Sequence, residues 1–124
     1  MIGYVTFGTN DMARATAFYD ALFAEIGIPR LMEFPNGLCW GPAMDKPALG
    51  VLRTFDGQPA TAGNGTMVAL VMDSTERVQQ LHAKALALGG RNEGDPGPRG
   101  PGFYAAYFRD LDGNKLNAFC MTAG

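Results

Sequence analysis

The chain has a single histidine, His82, and two cysteines, Cys39 and Cys120, which are far apart and show no CxxC spacing. That scarcity leaves no zinc knuckle and no disulfide framework to read, and two free thiols suit a reducing compartment. Positive charge is also in short supply. Ten Lys and Arg stand against twelve Asp and Glu, a formal net charge of −2, so no basic surplus points to nucleic acid or to an anionic membrane. No apolar run approaches the roughly 18 residues of a membrane span. Met1-Ile2-Gly3-Tyr4 lacks the basic start and cleavage site of a secretion signal, so the expected location is cytoplasmic. There is no GxxxxGK[ST] phosphate cradle, no Gly-x-Ser-x-Gly elbow and no Ser-His-Asp arrangement. What is there is globular: 124 residues, 47% hydrophobic and 18% charged, enough for one domain with a filled core.

The pattern of strands and helices runs through the chain twice. Met1 to Phe7 reads as an apolar strand, and Asn10 or Asp11 caps a helix reaching about Ile26. That helix carries Met12, Ala15, Phe18, Tyr19, Leu22, Phe23 and Ile26 at three- and four-residue steps and stops at Gly27. Short strands follow near Arg30–Phe34, Leu38–Gly41 and Ala48–Thr54. A Gly- and Pro-containing linker, Asp56–Asn64, comes next. Then the order restarts: a strand over Thr66–Met72, and a helix capped by Asp73 or Ser74 with Val78, Leu81, Ala85 and Leu88 as its buried stripe, stopped by Gly89-Gly90. A Gly/Pro-rich loop, Gly94 to Gly102, reads as a connector or a lid. It precedes a hairpin of Phe103–Arg109 and Asn114–Met121. Tyr4 corresponds to Met67, Gly27 to Gly89 and Gly50 to Asn117, at offsets of roughly 62–67 residues, a self-similarity that outranks local motifs. The expectation is an α+β fold of two tandem βαβββ modules, about 1–58 and 64–124, in one domain. Its curved mixed sheet carries the helices outside and leaves a hollow inner face for a small molecule.

Three stretches carry a resemblance: Gly8-Thr9-Asn10-Asp11-Met12 with Ala17-Phe18-Tyr19-Asp20, the helix end Ala87-Leu88-Gly89-Gly90, and Phe108-Arg109-Asp110-Leu111-Asp112-Gly113-Asn114. Together they resemble the vicinal oxygen chelate (glyoxalase/bleomycin-resistance/extradiol dioxygenase) superfamily, with Leu111 where the family's turn usually has proline. The resemblance implies paired βαβββ modules, frequent dimers and ligand sites on the concave sheet faces. Metal-using members place four His or Glu ligands on the first and last strands of each module. Carried over, these positions fall at Tyr4, Gly50 or a neighbour, Met67 and Asn117. None is an ordinary ligand for a hard divalent ion. No metal and no cofactor is therefore expected.

The candidate ligand-binding residues are Tyr4, Trp40, Arg53, Met67, Tyr104 and Asn117. Tyr4, Met67 and Asn117 would form a cavity floor, and a polar Asn117 inside Leu116-Asn117-Ala118-Phe119 needs a protein, water or ligand partner. Trp40 and Tyr104 would be aromatic walls, or plain core; Tyr107 takes that place if the opposite parity of its strand faces the cavity. Arg53, Arg99 and Arg109 would pair with an anion, Arg53 best placed at the end of its strand, or sit solvated at the rim. His82 reads as a partly exposed helix histidine, and Asp110 and Asp112 as turn residues. The resulting expectation is a metal-free, homodimeric binder of a small organic molecule. The alternative is a lyase or dioxygenase-type enzyme with a non-standard metal site.

Overall fold

Asp11 opens the first helix by accepting from the Arg14 amide at 3.0 Å, and Ser74 opens the second by accepting from the Arg77 amide at 3.2 Å. A computed structural model describes residues 1–123. Its elements run β1 (Tyr4–Gly8), α1 (Met12–Ala24), β2 (Arg30–Phe34), β3 (Gly37–Trp40) and β4 (Ala48–Leu52), then β5 (Val68–Val71), α2 (Thr75–Ala87), β6 (Arg91–Pro98), β7 (Phe103–Arg109) and β8 (Lys115–Met121). The repeat βαβββ is therefore present twice.

Each repeat makes its own four-stranded mixed sheet, ordered β1-β4-β3-β2 and β5-β8-β7-β6. In both, the first strand pairs parallel to the last and the rest pair antiparallel. The two sheets are separate hydrogen-bonded units rather than one continuous surface.

The helices bury one stripe each. In α1 it is Ala15, Phe18, Tyr19, Leu22 and Phe23; in α2 it is Val78, Leu81, His82 and Ala85. These positions sit on one side of a 3.6-residue period. They pack on the sheet residues of matching parity, Leu49, Val51 and Trp40 in the first repeat and Phe108, Leu116 and Ala118 in the second, in one apolar cluster that spans both. His82 belongs to this stripe. It is buried instead of partly exposed, with Nε2 3.0 Å from Asn92 Oδ1 and its ring edge-on to Phe108, because it falls one position past Leu81 on the inward face.

Both helices end in the same way. Gly27 and Gly89 take φ of +73° and +100°, and the following residue's amide reaches back five residues, Ile28 to Phe23 at 2.9 Å and Gly90 to Ala85 at 2.9 Å. Only glycine adopts that conformation freely. Gly27→Ala meets no atom within 4 Å, so its cost is conformational alone, about 1 kcal/mol, readable by urea denaturation.

The Gly94–Gly102 stretch departs from expectation. Most of it is not a loop: β6 runs to Pro98 and pairs with β7 through two register shifts. As the sheet's edge strand it tolerates Pro96 and Pro98, which have no N–H to give, and its bulges absorb the irregular spacing.

The repeats are clasped by the β7–β8 turn. Asp110 accepts from Tyr19 on α1, while Asp112 accepts from Thr9, the Asn10 amide and Arg14. The Asn114 side-chain Nδ2 donates to Gly8 O at 3.2 Å. The Tyr19 hydroxyl is held well above its ordinary pKa, first by burial and then by the Asp110 charge, so it stays a donor.

Candidate functional site

Because each sheet is covered by its helix on one side only, the opposite parity of every strand is left open. On the first sheet the register lines up Thr6 with Gly50, Gly50 with Cys39 and Cys39 with Met32 in one row across the open face. Tyr4 and Ala48 form the neighbouring row. Around these rows lies a cavity of about 450 Å³, walled by Leu31, Met32, Phe34, Met44 and Leu52, with Lys46, Asn36 and Tyr4 as polar members. Gly50 is its bare floor: a Cβ there would stand 3.4 Å from Leu38 O and Thr6 Cγ2 and 3.7 Å from Cys39 Cβ, ordinary contact distances. The volume falls in the range of small-molecule sites.

The second sheet's open face carries Phe103, Ala105, Tyr107 and Arg109 on β7 and Lys115, Asn117, Phe119 and Met121 on β8, paired one to one. Tyr107 is thus the open-face aromatic. Tyr104 has the other parity, packing against the core with its hydroxyl accepting from Gln79 at 2.8 Å. A second cavity, about 630 Å³, lies at one end of this sheet among the linker residues Ala62–Thr66, Met67, Arg109 and Lys115. Asn117 faces the same side but is only 2% exposed, and its Oδ1 is the one buried side-chain polar atom without a partner among the described residues.

The structure therefore brings Tyr4 and Gly50 into one cavity and Met67 into the other, while Asn117 is buried and lines neither. Trp40 is not a cavity wall. It is 2% exposed beneath α1, 5.5 Å from the Tyr19 ring, and its Nε1 donates to Asp20 Oδ1 at 2.8 Å. Burial raises the Asp20 pKa, but hydrogen bonds from Arg30 and Trp40 outweigh it and hold the carboxyl below its ordinary value. Arg53 lies past the end of β4, exposed, donating to Pro35 O at 3.4 Å beside a separate shallow depression. Sequence reasoning missed Leu31, Met32, Phe34, Met44 and Lys46. The available signal was the parity of Met32 and Phe34, which a strand read as simple core conceals.

The positions that would hold a metal do not fit one. Tyr4 and Gly50 lie on the first sheet, Asn117 on the second and Met67 just before β5, and they offer a phenol, no side chain, a neutral amide and a thioether. Among the described residues no three His, Cys, Asp or Glu side chains gather as a metal site would need.

Comparison with known proteins agrees with this architecture. The family model for the Glyoxalase/Bleomycin resistance protein/Dioxygenase superfamily matches residues 1–118. A glyoxalase/bleomycin resistance protein from Albidiferax ferrireducens is similar at 35% identity and TM-score 0.88, over 98% of this chain and 99% of that one. More distant likenesses, in fold alone, are a lactoylglutathione lyase from Agrobacterium tumefaciens (18% identity, TM-score 0.69, 97% and 92% covered) and TioX from Micromonospora (19%, 0.71, 98% and 99%). No functionally curated protein gives a match. With its twofold βαβββ repeat and its match over nearly the whole length, the chain belongs to the Glyoxalase/Bleomycin resistance protein/Dioxygenase superfamily.

Proposed function

We propose that this chain binds a small, mostly apolar organic molecule on the open face of its first sheet without using a metal. The observation that carries the reading is the 450 Å³ cavity built over Gly50, apolar on its walls and polar only at Tyr4, Thr6, Asn36, Cys39 and Lys46. That composition suits capture of an apolar body with a few orienting polar contacts. Among the described residues no side-chain hydrogen bond joins two of its polar members into the coupled acid–base pair that favours proton transfer.

A second copy of the chain is the fitting cover for the open faces. Tyr4 is 73% exposed and Met44 67%, and Val71 and Met121 stand out on the other sheet with Met67 just before it. Apolar side chains gathered in this way mark binding surfaces. Thermal unfolding against a panel of small aromatic and aliphatic compounds tests the reading. A true ligand at 100 times its Kd stabilises the protein by about 2.7 kcal/mol. Elemental analysis of the same preparation is expected to find far less than one metal per chain, and sedimentation a dimer. A panel without a hit, or one equivalent of metal whose removal abolishes binding, would overturn it.

A further inference from the structure

The second sheet carries a feature that an apolar cavity does not call for. Register places Arg91 opposite Arg109, and Arg109 opposite Lys115, so three cations form one transverse row across β6, β7 and β8 on the open face. Like charges in directly opposed positions repel, which makes such a row costly unless something negative sits on it. Arg99 adds a fourth: its guanidinium lies 5.5 Å from the Tyr107 ring centre, and the Lys115 ammonium lies 5.6 Å from the same ring. Gly94 and Gly97 leave room for it, since a Cβ at either would come within 3.3 Å of an Arg99 nitrogen.

The carboxylates of β6 balance this only in part. Glu93 accepts from Arg109 Nε at 2.7 Å, and Asp95 accepts from Asn92 at 2.7 Å. Among the described residues neither Arg91 nor Lys115 makes an ion pair. On a chain of formal charge −2, four cations therefore face two carboxylates here. Glu93 reports their convergence: the Arg109 hydrogen bond, then the charges of Arg109, Lys115 and Arg91, overcome desolvation and hold its carboxyl below the usual range.

Arg109 and Lys115 line the 630 Å³ cavity under the Ala62–Thr66 linker.

We propose that the Arg109–Lys115 end of the second sheet is a binding site for a small organic oxyanion, a carboxylate or a phosphate monoester. The anion's charged group sits between these two cations, with Arg91 and Arg99 shaping the field. The site is distinct from the cavity over Gly50 and does not depend on it.

Titration calorimetry at constant ionic strength, with benzoate and with phenyl phosphate, tests this alongside amide NMR. Saturable binding of either is expected, with the Gly63, Gly65 and Lys115 backbone amides among the resonances that move; which one binds identifies the charged group. Lys115→Gln is expected to weaken it about tenfold, the scale of one charge-assisted hydrogen bond, and Arg91→Gln by less. Gly50→Leu is expected to leave it unchanged, which separates failure of this proposal from failure of the first-sheet reading. Neither compound binding, an equal response to chloride, or undiminished binding in both Lys115→Gln and Arg91→Gln would overturn it.

Discussion

Asp110→Ala is expected to lower the unfolding free energy by about 3–5 kcal/mol, among the largest effects a single change in this chain should produce. Four donors converge on that carboxylate: the Asp112 and Asn114 amides on Oδ1, each at 2.9 Å, and the Tyr19 hydroxyl at 2.6 Å and Asn114 Nδ2 at 2.9 Å on Oδ2. Hydrogen bonds to an ionised group are worth more than neutral ones, and the donors left behind cannot turn to water. Tyr19 is 1% exposed, so its hydroxyl would be stranded in the core. The loss also propagates, because the turn ordered by Asp110 presents Asp112 to Thr9 Oγ1 at 2.6 Å and to Arg14 at 3.1 Å. Tyr19→Phe removes one of the four donors and should cost only about 1–2 kcal/mol. Urea denaturation of the three proteins decides it. If Asp110→Ala unfolds within 1 kcal/mol of the parent, the turn does not hold the repeats together.

That clasp shows where reading the sequence stops. Asp110-Leu111-Asp112-Gly113 reads as a turn from its residue types alone, since Asp and Gly favour tight reversals. Nothing local says that Asp110 also receives a hydroxyl from 91 residues earlier. The helices were legible because a 3.6-residue period writes their buried stripes along the chain, and Gly27 and Gly89 mark both ends. The strand β6 was hidden because Gly94, Pro96, Gly97 and Pro98 signal a loop, and only pairing with β7 overrides them.

The open faces were the hardest part. Strands of period two have two sides, and an aromatic residue suits either, so Trp40 and Tyr104 read equally well as wall or core. The arbiter is the helix that packs on one side, a tertiary fact. Once it is in place, Trp40 goes under α1 and Tyr107 rather than Tyr104 goes to the open face. Arg99 and Arg109 could be read singly as anion partners, but not the cation row: Arg91, Arg109 and Lys115 are scattered in sequence and meet only through register.

Gly50→Leu is expected to abolish ligand binding at the first sheet, by more than 100-fold, while changing stability by less than about 1 kcal/mol. The two halves of that expectation come from one geometry. The backbone at Gly50 is not in the left-handed region, and a Cβ there makes only ordinary contacts, so the strand accepts a side chain. Glycine in a strand interior is itself unfavourable, and replacing it recovers some of that loss. Beyond Cβ, however, the leucine has only the cavity to enter, because Thr6, Cys39 and Met32 share its row and face. It would fill the floor on which an apolar ligand must rest, forfeiting the contacts that give the site its affinity. A hundredfold loss corresponds to about 2.7 kcal/mol, the scale of one buried aliphatic side chain. Calorimetry with a ligand found by the thermal screen, run beside urea denaturation, reads both quantities. Undiminished affinity in a folded Gly50→Leu would place the ligand somewhere other than over this glycine.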